Sequence, residues 1–491
     1  MAETKKKVDV KYIIWVAIGL IIMFLGGKIV PLWGPMTEQG VAMLCVFVGL
    51  LVLITATGEL IWPSCAAFIA TILCGYMNAA TASMNFIGTS VILQMIAVNV
   101  ICSALRETGA GQVLAKKMLS AKFVQGKPLL FTAFFLITFL IADVFLSTFG
   151  GIIFSFAVFD SIIEALDLKK DEPYVQMMTL GLYLAGMLGS SMLPFSGMVL
   201  GITNAFNAAV SPQGYSFNAA VYIVCALIVG IVFMIVFSLS MKVFKCDMSK
   251  IKDLDVTTLP SLKDVSTSFS KRQIILLCSF IFGIAYSFAL LLIPKSLPWY
   301  AKFASITQAG WFVLVIVILS IVKVDGKPLM NAAKHFKEGA IWGFIMTVGM
   351  FSIIGGALSN NDLGFKTWLT ETLQPMFSNM SLPVYILLIV AVCSIVTNFF
   401  SNMATGVIVS SLTAPFTIAF AQGGVNVSVI ATAIAFSSMF AYITYAAAGP
   451  APIFLGKEGI TPKFVWTKGL AMLPVYIIVA TVLFSLMGLV L

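Results

Sequence analysis

The sequence predicts an all-α polytopic membrane protein of about eleven transmembrane helices plus two re-entrant hairpins, arranged as an inverted-topology repeat with broken helices. That expectation rests on composition, span length and charge placement. Of 491 residues, 60% are hydrophobic and 10% charged, where soluble domains carry about 25% charged residues. Near-uncharged apolar stretches such as 12–30, 41–55, 273–293 and 475–491 approach or reach the roughly 20 residues that cross hydrocarbon. The basic residues, finally, gather on one side of the membrane if two segments enter and leave on the same face.

From the N-terminus, residues 1–40 carry Lys5, Lys6 and Lys7 ahead of an apolar segment that begins at Tyr12. That segment is long, has no small-residue cleavage pattern and is followed by further spans, so it reads as a retained first helix behind a cytoplasmic N-terminus. A first repeat follows over 41–244, with an inward-side hairpin at 128–166. The longest polar stretch, 245–272, is read as a cytoplasmic linker, and the second repeat occupies 273–491 with an outward-side hairpin at 382–420. Of the 29 Lys and Arg residues, only Lys28, Lys295, Lys302 and Lys366 leave the side that this topology makes cytoplasmic. Treating each hairpin as one span would reverse every later loop and destroy that split. The same rule accounts for the net charge of +9 without any nucleic-acid partner.

The two apolar halves echo one another. An offset of 255 places Gly109 on Gly364, Pro128 on Pro383, Gly151 on Gly406, Ser155 on Ser410 and Gly201 on Gly456. Identity is sparse, but the order recurs: a span, a Gly-marked amphipathic piece, a Pro-opened hairpin, a Ser-containing tip and a broken span. Eight cysteines, mostly in apolar segments and without CxxC spacing, read as small buried hydrophobes rather than metal ligands or disulfides. The single histidine, His335, stands beside Lys334 and Lys337 and reads as a solvated loop residue.

Hydrocarbon tolerates irregular backbone only where protein or a water-filled cavity covers it. The polar interruptions at 143–151, 189–197, 397–405 and 445–452 are therefore the candidate site, with hairpin tips near Ser147 and Ser401. Each tip ends one half-helix and opens another, whose free N–H groups attract an anion. Carbonyl, Asn, Ser and Thr oxygens at the same breaks suit Na⁺. The competing reading of such small residues is close helix packing. Asp143 is an acid at membrane depth, functional by default, with a paired structural Asp as the alternative.

With Ser401-Asn402-Met403-Ala404-Thr405 at one tip, Ser147-Thr148-Phe149 at the other and the two broken helices, the chain resembles the divalent anion:sodium symporter family. That family of dicarboxylate, citrate and sulfate transporters lies within the ion transporter superfamily. The likeness spans nearly the whole length in architecture and is confined to the tips and breaks in motif. It implies Na⁺ ligation by Asp143, Ser147, Thr148 and Gly197 in the first half and by Thr397, Asn402 and Ala447 in the second. It implies substrate contacts from Ser147, Thr148, Phe149, Ser196, Ser401, Asn402, Met403, Ala448 and Pro450, and a homodimer. Phe149 and Met403 stand where the family has tip threonines, and Ala448 where the second broken helix offers another. A less polar anion, or one with a single carboxylate, fits these departures at least as well as a dicarboxylate.

An ATP-driven pump needs a nucleotide site, and the sequence has no GxxxxGK[ST] motif and no soluble domain to hold one. An enzyme in the membrane needs clustered His, Asp or Glu, and the one histidine lies outside the apolar segments. The expectation is a secondary active transporter, not an enzyme, in the lipid of the plasma or inner membrane. It would carry a small organic anion (carboxylate or dicarboxylate) by Na⁺ symport through an elevator-type movement, without an organic cofactor. Proton coupling, exchange and antiport stay open on sequence alone.

Overall fold

The computed structural model describes residues 10–146, 148–195, 197–254, 259–294, 296–324, 326–368, 371–372, 380–445 and 447–491. Helices dominate it, with one two-stranded ribbon pairing Lys323–Val324 with Lys327–Pro328. The first half comprises α1 (Val10–Ile29), α2 (Glu38–Thr57), α3 (Ile61–Leu73), α4 (Ala79–Phe86), α5 (Ser90–Glu107), α6 (Ala110–Leu119), α7 (Pro128–Ala142), α8 (Thr148–Ala165), α9 (Pro173–Gly189), α10 (Gly197–Val210) and α11 (Ala219–Val243). After the short α12 (Pro260–Lys263) come α13 (Lys271–Leu292), α14 (Tyr300–Ala304), α15 (Thr307–Ile321), α16 (Ala332–Gly339) and α17 (Trp342–Ser359). The chain closes with α18 (Leu382–Val396), α19 (Asn402–Gln422), α20 (Val427–Ser437), α21 (Ala451–Leu455) and α22 (Pro462–Val490).

Among the described residues, 8 helices are long and apolar enough to cross a membrane, or up to 9 if α16 and α17, bent by 67° at their junction, act as one. Helices α7 and α18, of 15 residues each, reach about 22 Å, short of the roughly 30 Å hydrocarbon core. Their partners α8 and α19 are long enough on their own.

Local chemistry sets the boundaries. Pro128 and Pro173 open α7 and α9, where a missing N–H costs nothing and φ is already helical. Thr37, Asn78, Thr89, Asn218, Asn331 and Asn426 cap their helices through side-chain oxygens, and Ser270 with Gln273 forms a capping box at α13. Helices α1 and α2 approach along a seam of small residues. A Cβ on Gly26 would lie 2.8 Å from Cys45 Sγ, and one on Gly27 2.7 Å from Ala42 Cα. Such close contact is what holds helices together inside lipid.

The core lies around α9 and α20. Every residue of α20 is buried, as is every residue of α9 after Pro173; helices apolar on all sides belong inside. The polar linker is docked rather than free. The buried Lys116 ammonium on α6 donates to Leu262 O at 2.7 Å and Val265 O at 2.5 Å.

Two expectations give way here. His335 is fully buried, not solvated: Ala332, His335 and Gly339 share the inner face of α16, and Lys334 and Lys337 lie off it. A Cβ on Gly339 would sit 2.8 Å from Asn99 O of α5. His335 Nδ1 lies 3.1 Å from Ser103 Oγ, and Nε2 lies 3.0 Å from Glu107 Oε2, an ion-pair distance without hydrogen-bond geometry. Cys65 and Cys278 are exposed, while Cys45, Cys225, Cys246 and Cys393 are buried.

Candidate functional site

At the first tip, Asp143 ends α7 with its N–H on Phe139 O. Its side chain is fully buried, and neither carboxylate oxygen has a hydrogen-bond partner among the described residues. Glycines make the space it occupies. A Cβ on Gly151 of α8 would overlap Oδ1, one on Gly186 of α9 would lie 2.9 Å from Oδ2, and one on Gly189 would lie 3.0 Å from Asp143 Cβ. Thr148 and Phe149 open α8, with Phe149 half exposed. Ser147 and Ser196 lie outside the described residues.

The first broken helix runs from α9 through a turn at 190–195. Ser190 and Ser191 donate back to Met187 O, and Tyr222 of α11 donates to Ser191 O at 2.8 Å. Helix α10 restarts at Gly197 with φ +60, a left-handed position that a side chain would strain.

At the second tip, α18 ends before Thr397, and Ser401 caps α19 without using its side chain. Thr397, Asn398 and Asn402 are all buried. Thr397 Oγ1 has one hydrogen but lies 2.6 Å from Ser438 O and 3.0 Å from Asn402 Oδ1. Three oxygens thus share one hydroxyl hydrogen, a set rich in lone pairs. Hard cations take such oxygen ligands, so these residues fit Na⁺. Asn402 Nδ2 has the soft Met439 Sδ as its acceptor, 3.7 Å away.

Asn398, inside the expected 397–405 interruption but given no binding role on sequence, latches the second break. Its Nδ2 donates to Ser394 O (2.7 Å) and Phe440 O (3.0 Å), and its Oδ1 accepts from the N–H groups of Tyr442 and Ile443 (2.8 Å each). Its own carbonyl accepts from Thr444 Oγ1 at 2.5 Å. Ala447, also buried, bonds through its N–H to Thr444 O; Ala448 is half-buried and Pro450 buried beyond it. The one sequence signal for Asn398 is an Asn inside an apolar run.

Contacts between the halves cross over. A Cβ on Gly449 would lie 3.0 Å from Phe149 Cζ, and one on Gly201 of α10 would overlap Met403 Cε. Phe149 and Met403 therefore each rest on a glycine from the opposite half. On α9, Gln176 and Tyr183, two turns apart on one face, donate to Gly459 O (2.6 Å) and Ala441 O (2.8 Å). Lys457 reaches both oxygens of Asp160 at 2.8 Å, and Lys170 reaches Glu458 at 2.6 Å. That hydrogen bond holds the exposed Glu458 carboxyl below its usual range.

A family model described as "Sodium:sulfate symporter transmembrane region" matches residues 6–491. The chain belongs to the sodium:sulfate symporter family. Its membership bears out the resemblance to the divalent anion:sodium symporters and makes it a multi-pass membrane protein of a secondary-transporter family. Among solved structures, this family member resembles the Alcanivorax borkumensis YdaH transporter, described as having an unusual topology. The TM-score is 0.57 at 11% identity, over 92% of this chain and 98% of that one. At that identity the likeness speaks to the fold. No curated protein matches.

Proposed function

We propose that this member of the sodium:sulfate symporter family is a sodium-coupled symporter of a small organic anion. The two tip helix pairs act as re-entrant hairpins of an inverted repeat, and they move as one elevator body. The reading includes a homodimer in the plasma or inner membrane, with the N-terminus in the cytoplasm. The observation that carries it is the cluster of Thr397 Oγ1, Asn402 Oδ1 and Ser438 O at the N-terminus of α19. A cation held there neutralises the lone pairs and adds to the positive end of the helix, which favours an anion at the same tip.

A second reading, proton coupling, is favoured by Asp143. A carboxylate without a partner inside a glycine cradle must either take a proton or be balanced by a cation. Thermal unfolding of the purified protein with Na⁺, and with K⁺ as control, tests the main reading. Na⁺ should stabilise the wild type, and Asn402→Ala should remove that response. Stabilisation that persists unchanged in the variant would place the cation elsewhere.

A further inference from the structure

Beside the second tip lies a cavity of about 600 Å³, open on the side where Trp15 and Phe400 are half exposed, within the roughly 300–1,000 Å³ of small-molecule sites. Its walls include Trp15 of α1 and Val52 of α2 on one side, and Phe400, Ala404, Thr405 and Ile408 on the other; no lining residue is charged. Met403 and Gly406, on another face of α19, meet Gly201 and Ile202 of α10 instead. The cavity runs alongside the first turn of α19: its lining takes in Val396 and Phe400 before Asn402 and Ala404, Thr405 and Ile408 after it. Thr405 is 2% exposed, with its Oγ1 buried against protein, so what it adds to the wall is apolar.

We propose that the transported anion is an amphipathic monocarboxylate, its carboxylate at the N-terminus of α19 and its apolar body in this cavity beside Thr405. This rests on the symporter reading above and narrows it. A second carboxylate placed on these walls would lose its water without meeting a charge or a row of donors, at a cost that a methylene chain does not face.

The test is thermal stabilisation, at fixed Na⁺, by acetate, butyrate, hexanoate and octanoate, and by dicarboxylates of the same lengths. Apparent affinity for the monocarboxylates should strengthen about fourfold per added methylene until the cavity is full. The dicarboxylates should gain no such increment. Val52→Phe and Ile408→Phe, which fill the cavity from opposite walls, should each remove it, so that failure of one variant to fold leaves the other. An increment that survives both variants overturns the proposal, as does a dicarboxylate that outbinds its monocarboxylate in the wild type; the symporter reading stands in either case. Co-purified phospholipid that octanoate does not displace, and that Val52→Phe removes, also overturns it by making a lipid chain the occupant. If no anion of any length stabilises the protein, the symporter reading fails as well.

Discussion

Replacing Asn398 with alanine removes four side-chain hydrogen bonds at once, two to the carbonyls of Ser394 and Phe440 and two from the N–H groups of Tyr442 and Ile443. Three of those partners lie in the buried break after α20, where no helical turn supplies substitutes. Side-chain hydrogen bonds are worth about 0.6 kcal/mol on average inside membrane proteins and up to about 1.5 in buried soluble sites, so the set amounts to about 2–6 kcal/mol. The effect should reach the cation cluster, because Thr397 precedes Asn398 and binds Ser438 O at the start of the same break. Unfolding in mixed micelles, titrated with dodecyl sulfate and followed by the fluorescence of the 8 tryptophans, measures the loss. Asn398→Ala should also weaken stabilisation by Na⁺. A loss below about 0.5 kcal/mol, the ordinary effect of a surface substitution, with the Na⁺ response intact, would refute the latch.

Two further substitutions probe separate parts of the molecule. Asp143→Asn keeps the shape of the first tip and removes its charge, so it should alter the Na⁺ or pH dependence of transport while leaving thermal stability equal or higher. Unaltered coupling would return Asp143 to a packing role. His335→Ala should destabilise by about 1–3 kcal/mol in the same dodecyl sulfate titration, since Ser103 Oγ and Glu107 lose their buried partner. A neutral result would mean that the α5–α16 contact is held by Gly339 and apolar packing alone.

The fold class is legible because composition and span length depend on local sequence, and so is the position of the breaks, where polar residues interrupt apolar runs. What stays unread depends on partners far away in the chain. His335 looks solvated because its neighbours are lysines, yet the 3.6-residue period puts those lysines on another face and turns the imidazole to Ser103 and Glu107. Phe149 and Met403 read as missing hydroxyls; their contacts with Gly449 and Gly201 join the two halves of the chain, which no local pattern encodes. The glycines are visible, but not their purpose. Gly151 and Gly406, paired by the offset of 255 read from the sequence, make room for Asp143 of the same half and for Ile202 of the opposite half, respectively. One glycine thus serves a buried charge and the other a packing contact between the halves.

Sodium-coupled anion transport itself is read out in proteoliposomes, by uptake of a labelled monocarboxylate under an imposed inward Na⁺ gradient. Uptake should rise above the equilibrated level and collapse when K⁺ replaces Na⁺ or when Asn402 is replaced by alanine. Uptake of the same size with the gradient present, absent or reversed would mean that Na⁺ does not drive it.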